Sequence, residues 1–226
     1  MPETSSFTYP VGAQRLSFSA LLAQTMFLVA VAIGFLVLGS YIGGGPGDAE
    51  PLSQGAAMAC TIGAIVLLVA SNFIGALRSG GGGIAVLFAA ALLLGLGLGP
   101  VLNAYLEVQP AAVTKAAGTT ALVVVAAGAG GALTAKDLRS WMRPLFFALL
   151  IAVAISWGML MFGGGGGIAG DLVSLAIGGL SAVAIVIYFN ILRQNATEDD
   201  VVWLATGIFI GIYNIFVSLL SLFGND

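Results

Sequence analysis

The stretch GIFIGIYNIFVSLLSLFG, residues 207–224, decides how this chain must fold. It carries no charged side chain and is long enough to cross most of a hydrocarbon layer about 30 Å thick as a helix. Its small and polar residues are ordered. Gly207, Gly211, Asn214, Ser218 and Ser221 are spaced 4, 3, 4 and 3 apart, which puts them on one helix face. Ile208, Ile212, Phe216, Leu219 and Phe223 fall elsewhere and are expected to meet lipid or neighbouring leucines. A small polar stripe lets another helix approach closely, and in lipid association rests on close packing and interhelical hydrogen bonds. Asn214 then has two readings. It bonds across the bundle, contributing about 0.6–2 kcal/mol, or its stripe lines a path for an ion or water.

The rest of the 226 residues agree with a lipid environment: 59% are hydrophobic and 8% are charged, against about 25% charged in soluble domains. One soluble core cannot hide that much apolar surface. Seven Lys and Arg residues and a net charge of −3 give no phosphate-tracking face, so nucleic acid is excluded as a partner. Histidine is absent, which removes Ser–His and Cys–His nucleophile pairs, imidazole metal sites and histidine proton relays. No enzyme, cofactor or metal site is expected. Cys60 stands alone in an apolar run and reads as a small buried hydrophobe.

Seven spans are predicted, at about 20–42, 54–77, 84–106, 111–134, 144–162, 168–191 and 201–223. Helices are required, because an open strand would leave backbone groups unpaired in lipid. Residues 20–223 then form one transmembrane domain, with tails at 1–19 and 224–226. The glycine runs at 43–45, 80–83 and 163–167 lack the order of phosphate loops and read as flexible linkers. Pro144 suits the first turn of span 5, and Thr197 with Asp200 reads as a capping box ahead of span 7. Arg15, Arg78, Lys136, Arg139, Arg143 and Arg193 share one side, and Lys115 lies on the other. The N-terminus is therefore expected in the cytoplasm and the C-terminus outside, in a plasma (inner) membrane.

Four stretches carry a family resemblance: MFLVAVAIGFLVLGSYIG (26–43), GLGLGPVLNAY (95–105), AAGTTALVVVAAGAGGALTAKDL (116–138) and IFIGIYNIFVSLLSLFG (208–224). In order and spacing the chain resembles the Bax inhibitor family along almost its whole length, with a proline after the helix in the second stretch. The resemblance implies an all-α integral membrane fold with six helices around a central seventh. It implies a pH-sensitive calcium leak, gated by one aspartate late in span 6 and one in the middle of span 7. Two close carboxylates share a proton, so one titrates near neutrality.

This chain departs from that pattern. The span 6 aspartate position falls on Asn190 and the span 7 position on Gly211. Neither titrates, so the proton switch does not carry over. Asn190, Gly211 and Asn214 are the pore or gate candidates, with Arg78 as the basic residue that the family pairs with its dyad. Gly207, Gly211 and Ser218 are the helix-packing candidates. The expected function is a passive leak for calcium or another cation without a carboxylate gate. The alternative is an interaction protein that binds a membrane-anchored protease, as some bacterial relatives do.

Overall fold

The structure is a computed structural model and describes residues 17–45, 49–74, 80–161 and 167–224. Seven helices follow in order: α1 Phe18–Gly44, α2 Gln54–Phe73, α3 Gly80–Val108, α4 Pro110–Leu133, α5 Met142–Met161, α6 Gly167–Gln194 and α7 Val201–Phe223. No strand occurs among the described residues. All seven helices are long and apolar enough to cross a membrane. Their starts follow the local chemistry. Ser17 and Ser53 accept the N–H groups of Ala20 and Ala56 and so cap α1 and α2. Pro110 opens α4, where its missing N–H costs nothing. Ahead of α7, the Asp200 carboxylate accepts from the Thr197 N–H at 3.0 Å and its hydroxyl at 2.9 Å, closing the expected capping box.

Helix α7 is the hub. None of its residues is exposed, and its main neighbours are α6, α4, α1 and α3. Helix α2 packs on α3 from outside and α5 on α6. Ile208, placed by its spacing against lipid or leucines, is fully buried with Phe209 among Val29, Leu87 and Leu94. Its surroundings are protein because α7 is covered on every side.

Two of the predicted glycine linkers are helix instead. Gly43 and Gly44 are the buried last turn of α1, and Gly80–Gly83 open α3, with Gly80 at φ +61°. For Gly43 and Gly44 the reason is close approach. A Cβ on Gly39 would strike the Leu92 carbonyl oxygen, and one on Gly43 the Leu96 carbonyl oxygen. Reciprocally, a Cβ on Gly95 would strike the Leu36 carbonyl, and one on Gly99 would lie 2.5 Å from the Gly43 carbonyl carbon. The two glycine-spaced faces thus let α1 and α3 run side by side in backbone contact. Pro100 does not end α3, which continues to Val108. Pro100 has no N–H for the Leu96 carbonyl, and that oxygen instead faces the Gly43 Cα across the interface. Gly97, on the other side of α3, faces Thr61 and Ala57 of α2. Cys60, expected to be buried, is a half-buried free thiol on the outer helix α2.

Candidate functional site

Two clusters of polar side chains meet across helices, and both involve α6. The first is at its C-terminal end. Helix α4 stops at Leu133 and leaves its last carbonyls without intrahelical donors. Helix α6 runs parallel to α4 and ends beside it, and its side chains supply those donors. Asn190 is fully buried. Its Nδ2 donates to the carbonyls of Thr134 at 2.9 Å, Lys136 at 3.1 Å and Gly131 at 3.3 Å. Its Oδ1 accepts the Leu138 N–H at 2.9 Å. One turn on, Gln194 donates to the carbonyls of Thr134, Ala135 and Lys136 at 3.0–3.2 Å. The Arg193 guanidinium donates to the Ala132 carbonyl, placing a cation at the negative end of the α4 dipole. Asp137 holds the Arg139 N–H through one carboxylate oxygen at 2.8 Å and accepts from Asn195 on the other at 3.1 Å. The α4–α5 connection is therefore latched onto the end of α6 by three side chains, Asn190, Gln194 and Asn195, while Arg193 holds the last turn of α4.

The second place is the seam between α6 and α7, which run antiparallel. The contacts set a regular register. Gly207 lies under the Tyr188 ring, which also meets Trp203 edge-on at 5.6 Å between centroids. Gly211 faces Ile185, whose Cγ1 would be 2.9 Å from a Cβ there. Ser218 faces Gly178, and Ser174 Oγ donates to Ser221 Oγ at 3.4 Å. By the same register Asn214 stands opposite Ser181. Asn214 is half-buried and makes no hydrogen bond to another described residue. Ser181 is fully buried, and its hydroxyl has no partner either.

Asn190 and Gly211 are not brought together. Gly211 is level with Ile185, five residues before Asn190, or about 7.5 Å along the helix axis. Asn190 also points about 140° away around the helix, toward α4. Carboxylates at these two positions would not share a proton. Arg78 lies outside the described residues. Sequence reasoning did not reach Arg193, Gln194 and Ser181. The cluster of polar residues from 190 to 195 was the available signal, but its backbone partners are 52–61 residues away in the chain.

Seven lipid-length helices, six of them packed around the seventh, with polar clusters at one helix end and one seam, define a multi-pass integral membrane protein. The family profile described as "Inhibitor of apoptosis-promoting Bax1" matches residues 15–226, and the chain belongs to the Bax inhibitor family. It is also 32% identical over 154 residues to an uncharacterized protein of Pseudomonas aeruginosa, a match covering 66% of each chain.

Proposed function

We propose that the protein is a passive cation leak, for calcium or a similar ion, in which a neutral latch stands where the family resemblance expects a titrating carboxylate. The observation that supports this reading is the Asn190 clamp. A fully buried amide at that position ties the α4–α5 connection across the end of α6. Beyond it lies an apolar block of Ile185, Leu204, Ile208 and Phe209, all fully buried, which keeps the described conformation closed. An amide donates and accepts at every pH, so the leak has no carboxylate step. The end bearing Lys136, Arg139, Arg143 and Arg193 faces the cytoplasm of a plasma membrane in this reading.

The test is calcium flux into proteoliposomes at pH 6 and pH 8. The unsubstituted protein is expected to give a low flux equal at both values. Asn190→Asp keeps an acceptor for the Leu138 N–H but turns an ionised carboxylate toward three carbonyl oxygens. Protonation restores one donor. Flux through Asn190→Asp should therefore rise from pH 6 to pH 8. A folded Asn190→Asp with flat, unchanged flux would sink the latch reading, and no flux from any form would sink the leak.

A second reading, an interaction protein for a membrane-anchored protease, draws on α5. That helix packs mainly on α6 and leaves Phe147, Ile151 and Ile155 at least half exposed. Co-purification of a protease with the chain in mild detergent, lost on Phe147→Ala with Ile151→Ala, would favour it.

A further inference from the structure

We propose that the α6–α7 seam is hydrated from the end that carries Gly224, and that its deepest water bridges Ser181 and Asn214 near the centre of the bundle. Several hydroxyls in these helices turn back onto their own backbone, while Thr25 on α1 and Ser181 on α6 are buried without a partner among the described residues. Ser40, Thr61, Ser71, Thr120 and Thr206 each donate to a carbonyl three or four residues earlier. Ser181 does not, although it is fully buried. It lies on the same face as Ser174, Gly178, Ile185 and Tyr188, the residues that meet α7, so its hydroxyl is directed into the seam. Opposite it in register is Asn214, whose carboxamide has two donors and an acceptor and no partner among the described residues.

Two unpartnered polar groups facing each other across a helix seam are what an internal water needs. Between them and the membrane surface the seam stays small and polar, through Gly178 and Ser218 and then Ser174 and Ser221. At the same end of the bundle, beside the end of α3 and not within the seam itself, an open recess of about 210 Å³ is lined by Ala104, Tyr105, Val108, Gln109 and Gly224. In the other direction Ile185 packs against Gly211 and ends the polar column. The water is thus a blind column, wet whether or not a cation ever crosses the protein.

Single cysteines in a Cys60→Ala background, reconstituted in lipid, test this with methanethiosulfonate ethylammonium, which reacts with hydrated thiolates. Ser221→Cys, Ser218→Cys and Asn214→Cys should react within about tenfold of one another, and about a hundredfold faster than Leu175→Cys on the lipid side of α6. Reaction at 221 with 218 and 214 as inert as 175 would overturn the proposal. Because a seam substitution can disturb packing, the unsubstituted protein gives a second readout. In lipid, solid-state magnetisation transfer from water to the Asn214 side-chain amide is expected on the timescale of bound water. Absence of that transfer, with transfer seen at exposed Asn195, would equally overturn it.

Discussion

Replacing Asn190 with alanine isolates what the latch contributes. The substitution removes three donated hydrogen bonds and one accepted one, but these are not equal losses. Gln194 still serves the Thr134 and Lys136 carbonyls. The groups left without this partner are the Leu138 N–H and the Gly131 carbonyl. A buried group deprived of its partner costs about 1–3 kcal/mol. Residues 135–137 are exposed, so water relieves part of that cost for the connection once it lifts. The net penalty to the latched state is about 2 kcal/mol, which raises the lifted population roughly thirtyfold. Lys136 and Arg139 lie in the connection and are exposed, so trypsin reports the lifted state directly. Cleavage there should speed up about thirtyfold in Asn190→Ala while cleavage stays confined to the connection. Asn195→Ala, which loses one exposed bond to Asp137, should change the rate by less than about threefold. A folded Asn190→Ala cut no faster than Asn195→Ala would show that the amide does not hold the connection.

The α1–α3 contact makes a second prediction. Gly39→Ala and Gly43→Ala should each cost about 1–3 kcal/mol in thermal unfolding, because α1 and α3 must part. The double variant should cost less than the sum, since one separation accommodates both methyl groups. Gly34→Ala on the same helix meets nothing within 4 Å and should be neutral or stabilising. Additive costs at 39 and 43, or an equal cost at 34, would contradict the close-approach account. At the seam, Gly207→Ala should push the Tyr188 ring off α7 and loosen its contact with Trp203, destabilising by about 1–3 kcal/mol with a shift in tryptophan emission. An unchanged spectrum and melting temperature would mean the ring has room to move.

Much of the site was legible early. The 4, 3, 4, 3 spacing in α7 identified the face that meets α6, because a helix repeats its direction every three to four residues regardless of its neighbours. The capping box at Thr197 and Asp200 was equally readable, being complete within four residues. Asn190 could be picked out as a polar group in an apolar helix, but its task could not. Its partners lie on the far side of two loops, and only the parallel course of α4 and α6 brings them together.

The sequence by itself determined that the chain crosses a membrane seven times, because the hydropathy and length of each segment are properties of that segment alone. It also determined which residues are small or polar enough to sit between helices. Only the tertiary structure decided which helix each of them meets. Gly43 and Gly44 read as a linker until α3 is seen in backbone contact with them, and Gly211 reads as a partner of Asn190 until the α6–α7 register sets it on Ile185. Register and close approach are relations between two helices far apart in the chain, and they are settled by how side chains interlock, which no single segment encodes.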